Sequence, residues 1–194
     1  HFTIHSFPTR RSSDLVFLIN EFISRNPRSK ELNIIGPKGV QSYIEDLVEL
    51  GYAKNLNEVK NFDINYIEAT PGEEQELGDL LFVPYEMRHS SEKVTSLGYR
   101  IEIKDQEKVI SYTGDTGPND SIYKLAREAD VLISDCNFVE KPNDHHMEIE
   151  DIKKLREELP NPPQIMLTHR GENMEEMEAI EGIILPEDNG SYEV

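Results

Sequence analysis

The chain has 194 residues and a single cysteine, Cys136. One cysteine cannot form an internal disulfide and cannot build a zinc cluster from several thiolates, so both kinds of framework are excluded. This usage is typical of a reducing compartment, and we expect a cytoplasmic protein. The sequence also lacks any apolar run near the ~20 residues that a membrane-spanning helix needs, so we expect no membrane partner.

Positive charge is scarce as well. Lys and Arg number 20 against 38 Asp and Glu, which gives a formal net charge of −18. Such a surface repels phosphate backbones on average, which argues against a general nucleic-acid binder. A small anionic substrate would instead need a local positive centre, and a bound metal ion would provide one.

The N-terminal segment HSFPTRRSSDL, residues 5–15, is unusual for another reason. It can be back-translated in one reading frame into the end of a widely used DNA-sequencing adapter, and residues 1–4 fit what precedes that end. We therefore predict that residues 1–15 are a sequencing artefact and that the natural sequence begins near Val16. On this prediction His1 and His5 are not candidate ligands. The alternative is an ordinary basic, serine-rich tail.

From Val16 onwards, apolar runs of helical and extended spacing alternate along the chain, which predicts one α/β domain with mixed sheets. An acidic turn is expected at 71–76, and Asn119 or Asp120 caps one helix. Helices are predicted at 16–25, 39–50, 120–127, 148–159 and 173–179, and strands at 32–35, 61–69, 80–88, 97–103, 108–112, 131–134, 164–168, 183–185 and 192–194.

Polar side chains that suit a metal come directly after three of these predicted strands. His89 follows 80–88, Asp115 follows 108–112 within Gly-Asp-Thr-Gly, and His169 follows 164–168. Strand ends direct side chains into a common crevice, and imidazole with carboxylate is the ligand set of a hydrolytic zinc site. An aspartate can also bridge two metal ions. The alternative is structural, since a single histidine is more often structural and Gly-Asp-Thr-Gly is usually a turn.

A longer pattern joins these residues. The stretch VISYTGDTGPNDSIYKLAREADVLISDCNF, followed by HHMEIEDIKKL, IMLTHR and ILPEDNGSYEV, resembles the C-terminal half of metallo-β-lactamase-fold hydrolases, in particular their ribonuclease Z-like branch. RHSSEKVTSLGYRI and, more loosely, IIGPKGVQSYIEDL extend the resemblance over nearly everything from Val16. It implies an αββα sandwich of mixed sheets flanked by helices, with residues 16–194 forming a partial domain that lacks its N-terminal strands.

The resemblance also implies a metal centre. His89 and His169 match metal-ligand histidines of the family, and Asp115 matches its bridging aspartate. Two divalent ions are then expected in the intact enzyme, with Zn²⁺ the first choice and Mn²⁺ or Fe²⁺ also suited to these ligands.

A catalytic pair is implied in the same way. His146 matches a histidine that is proposed, in the ribonuclease Z-like branch, to assist the leaving group or the transition state. Asp135 falls where that branch carries a glutamate, and would orient His146. His145 would serve equally well in place of His146, because adjacent histidines point differently and the sequence does not choose between them.

Departures from the family pattern bear on activity. The first ligand motif, H-x-H-x-D-H, is absent, and its expected place lies upstream of Val16. With His89, Asp115 and His169 alone, we expect the chain as written to bind zinc weakly and to hydrolyse little. Arg170-Gly171-Glu172-Asn173 stands where Ser-x-Arg-Tyr often follows the last ligand, and no Gly/Pro-rich arm that would grip tRNA is evident.

These observations favour a metal-dependent hydrolase that acts on a phosphodiester or related ester through a metal-activated water. Within enzymes, the alternative is a tRNA 3′ processing endoribonuclease, which the acidic charge disfavours. Outside enzymes, the alternatives are a binding or scaffold protein that retains the fold, and a general α/β domain with structural histidines. The resemblance alone implies a homodimer.

Overall fold

The computed structural model describes residues 12–25, 27–52, 56, 60–89, 95–140, 144–171, 174, 179–187 and 190–192. The chain divides into two compact units, His1–Thr70 and Pro71–Val194. Most of the predicted artefact at residues 1–15, and most of the helix predicted at 173–179, lie outside the described residues, so both stay predictions. None of the described helices is both long and apolar enough to cross a membrane.

The first unit includes α1 (Ser12–Ser24), β1 (Leu32–Gly36), α2 (Val40–Tyr52) and β2 (Ile64–Glu68). β1 and β2 pair in parallel. Val40, Ile44 and Val48 lie four residues apart on α2 and are all buried, so the apolar stripe of this helix faces the core of the unit. The predicted end of α2 at Leu50 is wrong, because the helix continues through Gly51 to Tyr52.

The second unit is built on a seven-stranded sheet whose strands are ordered in space as they are in the chain. Pairing is antiparallel from β3 to β6 and parallel from β6 to β9, so the sheet is mixed, as predicted. The elements are β3 (Gln75–Leu77), β4 (Leu80–Met87), β5 (Ser96–Ile103), β6 (Lys108–Tyr112), α3 (Asp120–Ala126), β7 (Val131–Asp135), α4 (Ile149–Glu158), β8 (Gln164–Thr168) and β9 (Ile183–Ile184).

The core of the second unit explains why both helices cover the sheet. Ile152 and Leu155 of α4 are almost fully buried, and they belong to one apolar cluster with Leu132, Ile165 and Leu167 of the strands. Ile122, Leu125 and Ala126 of α3 join the same cluster. Burial of these side chains, at roughly 25 cal/mol per Å² of apolar surface, is the main stabilisation of the unit.

Two predicted elements of this unit are wrong in part. Gln75 and Glu76 were expected in a turn but belong to β3, which pairs with β4 at the edge of the sheet. A short, charged edge strand of this kind forms through its partner rather than through its own apolar pattern. Tyr192 was expected in a strand and lies in none, whereas residues 193–194 are outside the described residues.

The sheet topology brings four strand ends to one edge. β6, β7 and β8 are parallel neighbours, so their carboxyl ends meet there. β4 is separated from β6 by two antiparallel pairings and therefore runs in the same direction. The candidate residues that follow these strands consequently emerge on the same side of the unit.

Candidate hydrolytic site

His89, Asp115, Asp135 and His169 lie at these four strand ends, whereas His145 and His146 lie in the loop before α4. His89 follows β4 after Arg88, Asp115 follows β6 after Thr113 and Gly114, and His169 directly follows β8. His169 has a φ of 56°, in the left-handed region that non-glycine residues seldom adopt. Its backbone carbonyl accepts a hydrogen bond from Asn137 Nδ2 at 2.8 Å, which helps to hold this conformation. Strained backbone of this kind concentrates at functional sites.

A buried carboxylate lies at the centre of the edge. Asp135 is the last residue of β7 and is 0% exposed. Its Oδ2 accepts hydrogen bonds from His146 Nδ1 at 2.7 Å and from the Thr116 backbone N–H at 2.9 Å. Its own N–H donates to Thr113 Oγ1 at 2.9 Å. Because a carboxylate is an acceptor, His146 carries its proton on Nδ1 in this pair, which fixes the orientation of the ring.

The electrostatics of this pair follow from burial and the short contact. Burial raises the pKa of the Asp135 carboxyl, although the hydrogen bonds from His146 and the Thr116 N–H oppose that shift. The hydrogen bond to Asp135 raises the pKa of His146 above that of an ordinary imidazole, against the opposing effect of its partial burial. The pair therefore retains a proton on His146 at higher pH than an isolated histidine would.

Three imidazole rings form a cluster above Asp135. The ring of His146 stacks on His169 at a centroid distance of 4.8 Å and an interplanar angle of 24°. It meets the ring of His89 at 5.1 Å and 63°. The side chain of His145 is exposed, whereas its backbone carbonyl lies 3.2 Å from His89 Nδ1. The ring of His146 therefore contacts those of both His89 and His169.

The chemistry of the remaining donors fits a divalent cation. Asp115 is 5% exposed, and its Oδ2 is buried and receives no hydrogen bond from the part of the chain that is described. Its Oδ1 lies 3.8 Å from His169 Nδ1. A buried carboxylate oxygen without a hydrogen bond lowers the stability of the folded protein unless a cation or a hydrogen-bond donor lies against it. His89 donates Nδ1–H to a carbonyl, which leaves its Nε2 lone pair for a metal, as in most metal-bound histidines.

These residues are nevertheless only part of a site. Across the described ranges, no group of three or more His, Cys, Asp or Glu side chains is arranged to hold a metal ion. The structure thus places Asp115 near His169 and the ring of His89 in contact with that of His146, but does not bring three ligands around one point among the described residues. The roles assigned to His89, Asp115 and His169 stay predictions.

Sequence reasoning missed the polar residues that connect this edge. Thr113 and Thr116 are both 0% exposed, and both make hydrogen bonds to neighbouring strand ends. Asn137 holds the carbonyl of His169. The only available signal was the run of small polar residues around Gly-Asp-Thr-Gly, which is also what an ordinary turn contains.

Known proteins resemble this chain in sequence and fold. A ribonuclease Z of Staphylococcus epidermidis is 26% identical, with 85% of this chain and 69% of that protein covered. The metallo-β-lactamase fold protein YhfI of Bacillus subtilis has a TM-score of 0.63 at 20% identity, covering 86% of this chain and 62% of YhfI. The short form of human tRNase Z has a TM-score of 0.59 at 18% identity, covering 82% and 68%.

The fold class predicted from the sequence is confirmed by these structures, since YhfI is a metallo-β-lactamase fold protein. The chain spans less than two thirds of YhfI, so the likeness concerns this portion of the fold. Residues 16–170 match the Beta-lactamase superfamily domain, which is most of the chain and includes every candidate site residue. The protein that carries this strand-end cluster therefore belongs to the beta-lactamase superfamily.

Proposed function

We propose that the protein is a metal-dependent hydrolase of phosphodiesters or related esters. The observation that carries the proposal is the edge of the sheet itself, where one Asp115 oxygen is buried without a hydrogen bond from any described residue and Asp135 orients His146. His89, Asp115 and His169 would hold divalent ions there. When bound, such ions supply Lewis acidity and activate water at neutral pH.

The protein's own residues contribute a proton donor, His146, and the carboxylate that orients it, Asp135. Asp135 holds the Nδ1 side of His146, so the opposite nitrogen, Nε2, is the one that can reach a substrate. A protonated His146 would donate from Nε2 to the leaving oxygen, or stabilise the negative charge that develops on it. Because the hydrogen bond to Asp135 raises the pKa of His146, the protonated form persists closer to neutral pH.

The substrate class follows from the relatives and the charge. Ribonuclease Z, as its name says, is a ribonuclease, and RNA is a phosphodiester. Cleavage of a tRNA is the second candidate, because a human protein of similar fold is named tRNase Z. The net charge of −18 favours a small phosphodiester over a long polyanion. We further propose Zn²⁺ as the metal, a homodimer as the assembly, and ligands upstream of Val16 as the completion of the site.

The test uses protein whose natural sequence upstream of Val16 has been recovered by resequencing the source DNA. Bis(p-nitrophenyl) phosphate, a β-lactam and a tRNA precursor are offered in parallel, and the metal content is measured. We expect about two metal ions per chain, turnover of the phosphodiester, and its loss in Asp115→Ala. Asp105→Ala, in an exposed turn, is the matched control. Undiminished turnover in Asp115→Ala would refute the site, and protein without metal or turnover would support the scaffold alternative.

A further inference from the structure

We propose that Thr116 is a positioning residue that fixes His89 relative to Asp115, and this inference rests on the proposed metal site. Thr116 directly follows Asp115 in the chain and is 0% exposed. Its Oγ1 lies 3.1 Å from the carbonyl oxygen of Arg88, the residue before His89. The Gly117 N–H donates to the same carbonyl at 2.8 Å. Thr116 and Gly117, two adjacent residues of the turn 114–117 (the Asp115 turn), thus both bind the backbone carbonyl that precedes His89.

The sheet explains why such a link is needed. His89 follows β4 and Asp115 follows β6, and β5 lies between these strands. The backbone ladder therefore does not join β4 to β6, and beyond the strand ends it cannot set the separation of the two side chains. The bonds from Thr116 and Gly117 to Arg88 join the two segments directly, and Thr116 lies 28 residues after Arg88 in the sequence.

Asn119 determines how the hydroxyl of Thr116 is used. Its Nδ2 donates to Thr116 Oγ1 and to the Gly117 carbonyl, each at 2.9 Å, and its Oδ1 caps α3 by accepting from Ser121 N. The hydroxyl is therefore already an acceptor, and its single proton remains for a carbonyl. Two carbonyl oxygens lie within reach of that proton, Gly117 at 2.9 Å and Arg88 at 3.1 Å, and each already accepts one other N–H. Only the contact with Arg88 links the Asp115 turn to the segment before His89.

Thr116 also reaches the catalytic pair through its backbone. Its N–H donates to Asp135 Oδ2, the oxygen that holds His146. One residue thus connects the Asp115 turn, the backbone before His89 and the carboxylate beneath His146. The side-chain link and the backbone link can be separated by mutation, because a substitution at position 116 removes the hydroxyl and leaves the N–H in place.

The decisive variant is Thr116→Val, which keeps the β-branched shape and loses the hydroxyl. In the metal-free chain, we expect the ring signals of His89 in a ¹H–¹³C NMR spectrum to shift and broaden. Thr116→Ser keeps the hydroxyl and should restore the wild-type signals. Ser111→Ala is the matched control, because it removes another buried hydroxyl of the same sheet, which donates to the Leu125 carbonyl at 2.7 Å. It should leave His89 unchanged.

A second readout is zinc affinity, measured by competition with a chromogenic chelator. Loss of a residue that orients a ligand typically lowers metal affinity about 10- to 100-fold, and we expect at least the lower figure for Thr116→Val and near wild-type affinity for Thr116→Ser. If Thr116→Val does not fold, Thr116→Ala takes its place with the same expectation. His89 signals that stay at their wild-type positions, or that move equally in Ser111→Ala, would overturn the inference. Protein that carries the recovered upstream sequence and still takes up no zinc would refute the metal site, while the His89 signals would still decide the role of Thr116.

Discussion

Replacement of Asp115 by asparagine should stabilise the metal-free protein. The side chain of Asp115 is 4% exposed, and its Oδ2 is buried without a hydrogen bond among the described residues. His169 Nδ1 lies 3.8 Å from its other oxygen, Oδ1, which is too far for a hydrogen bond. Folding therefore removes the Asp115 carboxylate from water without replacing its hydrogen bonds to water by equivalent ones from the described residues.

These contacts set bounds on the change in the free energy of unfolding. An unsatisfied buried polar group costs about 1–3 kcal/mol, and more when it is charged. Asparagine has the same shape and no charge, but its buried amide also lacks partners, so only part of the cost is recovered. We expect Asp115→Asn to raise the free energy of unfolding by about 1–2 kcal/mol, which corresponds to a rise of roughly 2–8 °C in Tm.

The effect should reverse when a metal is present. A ligand that binds only the folded state stabilises it by about 2.7 kcal/mol at 100 times its Kd. Wild-type protein should gain this stabilisation from zinc, and Asp115→Asn should gain little, so the order of the two Tm values inverts.

Thermal unfolding is followed by circular dichroism, since the chain contains no tryptophan. It is measured in EDTA and at several zinc concentrations, with Asp105→Asn as the exposed control. A variant that unfolds below wild type in EDTA would show that the carboxylate of Asp115 is satisfied in the folded protein, and the reasoning would fail.

Three further predictions concern the second unit. Cys136 is 0% exposed and burial raises the pKa of its thiol to about 12, so Ellman's reagent should detect no thiol in native protein and one after unfolding. Asp130 accepts hydrogen bonds from the Val109 N–H and Lys108, which hold its pKa below the ordinary value. The stability it contributes is present above the unfolded pKa and is lost as the pH falls through the folded one. Because the Asp130 side chain is 36% exposed, solvent screens these contacts, and Asp130→Asn should cost only about 0.2–1 kcal/mol in urea unfolding at pH ~7 and nothing at strongly acid pH. Gly117→Ala should lower Tm sharply, because a Cβ there would collide with the backbone carbonyl oxygen of Asp144; an unchanged Tm would contradict that packing.

The parallel strands were the most predictable part of the fold. β8 was predicted at its observed bounds, Gln164–Thr168, and so was β6, because each is a short apolar run enclosed by turn residues. β3 was missed since its acidic sequence favours a turn, and only pairing with β4 makes it a strand. The end of α2 was misplaced because a glycine costs only about 1 kcal/mol inside a helix, which packing can offset.

The candidate site also has features that the sequence predicts and features that it does not. That His89, Asp115 and His169 follow strands could be predicted, because strand ends are local features of the sequence. The contact of His146 with Asp135, and the reach of Thr116 to Arg88, depend on how segments 11 and 28 residues apart meet in space. Local patterns carry no information about such contacts, which is why the threonines were overlooked and why His145 and His146 were left as alternatives.

The buried carboxylates at the carboxyl ends of β6 and β7 destabilise the fold, and this is itself an argument for function. Two buried carboxylate oxygens without hydrogen bonds in the described part of the chain, Asp115 Oδ2 and Asp135 Oδ1, lie where β6 and β7 end, next to a left-handed His169. Local rules of folding are expected to fail mainly at functional sites, since stability alone would remove such groups. A purely structural role for Asp115 would predict that every substitution there destabilises the protein. A binding role predicts that a neutral isostere is more stable until the metal is added, which is the inversion that the Asp115→Asn experiment measures.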